Sequence, residues 1–176
     1  YNAGLDKFVL AAFGGMESGH AIPVFGDQSV ADEDWRKLVI PIGQFAEDAG
    51  PMAHPIRPDA VIEMNNFYTV TVYEKGSEVI RMLHTLLGEQ AFQRGLALYL
   101  QRFDGQAATC DDFVAAMSEA SGRDLTRFTR WYSQAGTPVL TVTDEYDAVQ
   151  QRYTLTVQQF TPPTPGQPQK LPLHIP

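Results

Sequence analysis

The sequence predicts an α+β chain, with helices through its middle and strands at its end. Three observations carry that expectation. Thr71-x-x-Glu74 and Thr109-x-x-Asp112 each have the spacing of a helix capping box. Apolar side chains at Val72, Val79, Ile80, Leu83, Leu86 and Leu87 recur at helical intervals. After Pro138 the period changes to the alternation typical of strands.

Taken in order, the first 41 residues carry a weak pattern, because Gly4, Gly14, Gly15, Gly19 and Gly26 interrupt any helix. The apolar run Phe8 to Met16 is about half the length of a membrane span and follows a single lysine, so it reads as a buried strand. Ala46 to Asp59 contains Pro51, Pro55 and Pro58, which enforce extended or turn geometry, and is expected to be a structured loop. A helix then opens at Thr71 and ends at Gly88. A second covers Glu89 to Arg102, and a third opens at the Thr109 box and stops before Gly122. A fourth is expected from Leu125 to Gln134, ending at Gly136-Thr137-Pro138. Val139 to Thr143 and Tyr153 to Phe160 form a hairpin, followed by a Pro-rich loop from Thr161 to Pro168. The composition change places a domain boundary near Gly136, dividing the chain into residues 1–136 and 137–176. The start at Tyr1 and the strand-like last stretch Lys170 to Pro176 point to a piece of a longer polypeptide.

Composition bounds the function. At 176 residues, 44% hydrophobic and a mean hydropathy of -0.21, the chain can bury one core and is expected not to span a membrane. A net charge of -8 argues against nucleic acid, whose phosphates require clustered Lys and Arg. The single cysteine, Cys110, excludes an internal disulfide and fits a reducing, cytoplasmic compartment. Acidic neighbours Asp111 and Asp112 oppose activation of its thiol, which reads as structural. The sequence has no Gly-x-Ser-x-Gly elbow and no phosphate-binding Gly-x-x-x-x-Gly-Lys loop.

The candidate sites are few. Tyr73 lies in the first turn after Thr71, where backbone N–H groups are unpaired, and its offsets to Gly76 and Ile80 place it on the inward face. A phenol there is either core or a donor to an oxyanion forming on a peptide carbonyl. His20, His54, His84 and His174 are too scattered for a metal-ligand spacing, and no His-Glu-x-x-His occurs. Glu17 and His20 form a Glu-x-x-His pair, but Ser18 and Gly19 between them work against the helix that would align it. His84, between apolar neighbours, reads as a core or flanking residue.

The stretches QFAEDAGPMAHPIRPD, VIEMNNFYTVTVYEKGSEVIRMLHTLLG, ATCDDFVAAM and RWYSQAGTP, within Gln44 to Pro138, closely resemble the zinc aminopeptidases of the aminopeptidase N family, in particular the bacterial alanyl aminopeptidases. The resemblance implies a thermolysin-like catalytic domain, here its helical half in shortened form over 1–136, followed by the start of a small β-sandwich over 137–176. It places Tyr73 where the family keeps the tyrosine that stabilises the tetrahedral intermediate. Gly14-Gly15-Met16-Glu17-Ser18 is similar to the family's Gly-x-Met-Glu-Asn motif, with Ser18 in place of Asn, so Glu17 stands where the substrate's α-amine is bound. Val24 to Gln28 resembles a segment that follows the family's metal-binding helices. These two matches leave no room between Ser18 and Val24 for the His-Glu-x-x-His segment and the third, glutamate, ligand.

The family binds zinc and acts on peptides, yet this chain contains no identified zinc ligand. It is expected to be a fragment or internally shortened aminopeptidase, inactive as it stands. The alternatives are a noncatalytic, peptide-binding or interaction remnant of that fold and a misassembled reading frame. With the zinc-binding helices missing, the stripe Val79 to Leu87 is expected to be partly exposed and to promote association.

Overall fold

The computed structural model of the chain describes residues 43–60, 63, 67 and 69–176. The strand expected over Phe8 to Met16, the Gly14–Glu17 motif, His20 and Val24 to Gln28 lie outside the described residues. Helices come first and an antiparallel hairpin last, the α+β arrangement expected.

The Pro-rich segment differs at its start. Phe45–Ala49 is a short helix, α1, preceding the turns around Pro51 and Pro55. Glu47 and Asp48 in its first turn complement the positive end of the helix, a term that the downstream prolines conceal in the sequence. The loop then docks on the body of the protein, with Arg57 N–H donating to the carbonyl of Tyr132 at 2.8 Å.

The next helix starts earlier than its sequence suggests and starts unusually. Thr71–Lys75 is a π-helical turn that continues into α2, Gly76–Leu87, and Val70 already has helical dihedrals. Thr71 and Glu74 form no capping box. Side chains other than Glu74 take its N–H groups: Thr69 Oγ1 accepts from Val72 N–H at 3.2 Å and Glu47 Oε1 from Thr71 N–H, and Thr71 is fully buried. Gly88 ends α2 at a φ of 76°, where an L side chain would be strained.

α3 (Glu89–Phe103) and α4 (Cys110–Ser121) follow within a residue or so of the predicted limits. The Thr109–Asp112 box is present in both directions, and Gly122 terminates α4 in the left-handed conformation. The fourth helix is shorter than expected: only Arg130–Ser133, α5, is α-helical. Before it, Asp124 Oδ1 accepts from Thr126 N–H, and the carbonyls of Leu125, Phe128 and Thr129 accept from the third residue on. This tighter three-residue winding brings Leu125, Phe128, Trp131 and Tyr132 all into the core.

The core is formed by these helices together. Val79, Ile80 and Leu83 of α2 meet Phe92, Leu96 and Tyr99 of α3, and Phe113 and Met117 of α4. Tyr99 and Phe113 stack edge to face at 5.4 Å. The stripe from Val79 to Leu87 is therefore covered rather than exposed, with Leu83 at 0% and Leu87 at 9%. α3, α4 and the Leu125–Tyr132 segment supply the cover expected to be missing.

β1 (Val139–Asp147) and β2 (Arg152–Phe160) pair in register from Val139 with Phe160 to Asp147 with Arg152. β1 runs four residues beyond its predicted end, because Tyr146 pairs with Tyr153 across the ladder. Asp147 Oδ1 closes the turn by accepting from the N–H groups of Val149 and Gln150. The last stretch forms no strand. Glutamine side chains hold it instead: Gln134 and Gln159 each exchange two hydrogen bonds with the backbone, at Leu171 and Leu173 respectively.

Candidate functional site

Tyr73 lies on the π-turn with 42% of its surface exposed, contrary to the inward position expected from helical offsets. The physical reason is the π-turn itself, whose wider winding shifts residues out of the 3.6-residue register from which the offsets were counted. Thr71, Val72, Lys75 and Gly76 turn inward around it.

The buried side of the turn is polar. Glu47 Oε1 accepts from both the N–H of Thr71, at 2.9 Å, and its hydroxyl. Lys75, only 6% exposed, donates from Nζ to Asp48 Oδ2 at 2.7 Å and to the carbonyl of Gly136 at 3.0 Å. Thr137 Oγ1 donates to the same Asp48 oxygen at 2.8 Å. Burial lowers the Lys75 pKa, while the Asp48 carboxylate works in the opposite direction. Glu74, beside Tyr73, has its pKa raised by burial and then by the Glu78 carboxylate. His54 Nε2 stands 3.7 Å from Glu47 Oε1.

A cleft of about 370 Å³ is lined by Phe45, Lys75, Val79, Met82, Trp131 and Pro138 among others. Tyr73 is not part of its wall. Gln44 and Asp48 also line it, and both amide atoms of the buried Gln44, together with Asp48 Oδ1, have no hydrogen-bond partner among the described residues.

Of the other sequence candidates, His84 is partly exposed and lies 2.6 Å from Glu89 Oε2, at the junction of α2 and α3. Its ring also meets Phe92 edge to face, so it is a flanking residue as read. Cys110 is buried, and burial raises its thiol pKa to about 12, consistent with a structural thiol. Glu47, Asp48, Lys75 and Thr137 were not singled out by the sequence. Only the packing of α1 on the π-turn brings them together. Among the described residues no group of three or more His, Cys, Asp or Glu is placed to hold a metal, so the described residues do not fit a zinc site.

Residues 25–132 match the Peptidase family M1 domain, and residues 136–176 match a domain of unknown function (DUF3458) with an Ig-like fold. The chain is 69% identical over 133 residues to Aminopeptidase N of Escherichia coli (strain K12), an alignment covering 76% of this chain and 15% of that protein. Against Aminopeptidase N of Haemophilus influenzae, identity is 58% over 163 residues, or 88% of this chain and 19% of that one. The chain thus spans under a fifth of the length of these curated relatives. A crystal structure of Legionella pneumophila aminopeptidase A in complex with aspartic acid is similar in fold, with a TM-score of 0.58 at 31% identity over 61% of this chain and 13% of that one. The helical part carries the M1 match and the hairpin lies in the Ig-like one. With the M1 match extending over more than half of its length, this chain belongs to peptidase family M1.

Proposed function

We propose that this chain carries the oxyanion-stabilising part of a zinc-dependent aminopeptidase, an enzyme that removes N-terminal amino acids from peptides. The observation that carries it is Tyr73: a solvent-reachable phenol on a π-turn whose buried neighbours are held by ion pair and hydrogen bond. A hydroxyl so presented can donate to the carbonyl oxygen of a scissile peptide bond as that oxygen gains charge, and a donor fixed in advance stabilises the transition state without reorganising. High identity to two proteins called Aminopeptidase N supports the substrate class. Zinc is expected from the resemblance to that family. Glu17 is proposed to pair with the substrate's α-ammonium, and Gly14, Gly15 and Met16 to shape that subsite. The division into a catalytic part over 1–136 and the beginning of a β-sandwich over 137–176 is supported by the two family matches, which adjoin there.

The second reading, a noncatalytic peptide-binding remnant of the fold, is favoured by one observation: the sequence contains no His-Glu-x-x-His. Metal analysis and an aminoacyl-anilide assay on the purified protein separate the two. Stoichiometric zinc with turnover supports the enzyme; peptide binding without either supports the remnant. In a preparation that turns over, Tyr73→Phe keeps the ring but removes the hydroxyl, and kcat is expected to fall by roughly 10²-fold with KM nearly unchanged. If kcat stays the same while the melting temperature drops, Tyr73 has only a packing role.

A further inference from the structure

We propose that Glu47, Asp48 and Lys75 are positioning residues for Tyr73, acting as a two-point clamp that fixes the π-turn. This rests on the assignment of Tyr73 as the oxyanion donor. A π-turn is rarer and less favourable than an α-turn, and persists where its surroundings hold it. Here the Gly76 N–H reaches back to the carbonyls of both Thr71 and Tyr73, and two tertiary grips lie on either side of the tyrosine. Two residues before it, Thr71 is bound through its N–H and its hydroxyl to Glu47. Two residues after it, Lys75 is bound to Asp48 and to the Gly136 carbonyl.

The chemistry of the grips argues for placement. Glu47 and Asp48 are consecutive residues of α1, so their side chains diverge by about 100° and can hold two points four residues apart on the facing turn. Thr71, Lys75 and Asp48 are all at least nine-tenths buried, whereas Tyr73 between them is exposed. A buried ion pair gains little net stability over apolar packing, because both charges must be desolvated; what this one does is tie Lys75 to Asp48 and to the Gly136 carbonyl at once. Asp48 also accepts from Thr137, so three separate parts of the chain, α1, the π-turn and the Gly136–Thr137 junction, meet at a single carboxylate. Since a displacement of about 1 Å at a catalytic group can cost on the order of 10²-fold in rate, a turn held at both ends sets how well Tyr73 can act.

The test reads Tyr73 directly. The protein is labelled with 3-fluorotyrosine, and the Tyr73 ¹⁹F signal is assigned by its loss in Tyr73→Phe. Two variants loosen the clamp: Thr71→Val, which removes one hydroxyl from a nearly isosteric side chain, and Lys75→Met, which removes the ammonium. In each, the Tyr73 signal is expected to shift and broaden while those of the core residues Tyr99 and Tyr132 stay in place. Where turnover is measured, Thr71→Val lowers kcat and leaves KM unchanged. If Lys75→Met does not fold, Thr71→Val alone decides the outcome. A Tyr73 signal that does not move in the folded variants, or one that moves only together with Tyr99 and Tyr132, overturns the clamp. Failure of the oxyanion assignment looks different: Tyr73→Phe retains kcat with the clamp intact.

Discussion

At Cys110 two influences act on one thiol. Its place at the start of α4 favours the thiolate, but burial outweighs that and raises the pKa to about 12. A thiol reagent at pH 8 should therefore leave the folded protein unmodified and react at a rate that follows unfolding, which is measurable by titrating reactivity against denaturant. Glu74 gives a pH dependence of defined sign. Its folded pKa lies above the ordinary 4.5, because burial and the Glu78 carboxylate both disfavour its charge. Below the unfolded value both states are protonated and nothing is lost; as pH rises through the folded value, ionisation destabilises the fold. Glu74→Gln should accordingly raise the melting temperature at pH 7, with the gain disappearing below pH 4. At this scale the sequence was a partial guide. Cys110 could be read from its acidic neighbours, whereas the exposure of Tyr73 could not, because offsets counted at 3.6 residues per turn fail across a π-turn.

Among the elements, α3 and α4 show why one position must be glycine. A Cβ on Gly95 would sit 2.4 Å from Met117 Sδ and 3.1 Å from its Cα, a backbone atom that cannot swing away as a side chain can, and Met117 is fully buried. Alanine would gain about 1 kcal/mol of helix propensity at a mid-helix glycine, but over-packing costs about 1–3 kcal/mol. Gly95→Ala should thus destabilise the protein, read as a lower denaturant midpoint with an unchanged m-value. The limits of α4 were legible because its signals are local: a Thr109–Asp112 box and a left-handed glycine, Gly122, at its C-terminus. The Thr71 box failed because Val70 already has helical dihedrals, which puts Thr71 inside the helical turn and not at its N-cap, while its hydroxyl donates to Glu47, distant in sequence. The tight winding after Asp124 was missed for a related reason. Side-chain bonds there compete with the helix, while the apolar spacing of Leu125, Phe128 and Trp131 fits either conformation.

Over the whole molecule, the last residues bind the hairpin region to the helices. Leu173 is 5% exposed within the helical core, and its backbone pairs with the Gln159 side chain of β2. Trp131 Nε1 donates to the His174 carbonyl at 2.8 Å, and Lys170 to the Ala135 carbonyl at 2.9 Å. Leu173→Ala should cost about 2–3 kcal/mol of stability, the lower part of the range for a buried leucine because the segment lies at the edge of the core. Chemical denaturation gives that value. Hydrogen exchange should show the loss concentrated in residues 170–174 and α5. The hairpin itself keeps an apolar face, with Val142, Leu155 and Val157 each about half exposed. Among the described residues no helix is long and apolar enough to cross a membrane.

By itself the sequence determined the order of helices and strands from Thr71 onward, the limits of α3 and α4, the hairpin and, through its resemblance, the family. Each of these depends on periodicity, caps or long runs of identical residues, all of which are written along the chain. Only the tertiary structure decided how α1 packs on the π-turn, why Tyr73 faces outward, what covers the Val79–Leu87 stripe and how the final segment docks without a strand. Those features depend on pairs far apart in sequence: Glu47 with Thr71, Asp48 with Lys75, and Gln134 with Leu171. A carboxylate next to another carboxylate looks solvated until a lysine 27 residues away is buried against it. Burial and partnership arise from the folded chain as a whole, and no local pattern encodes them.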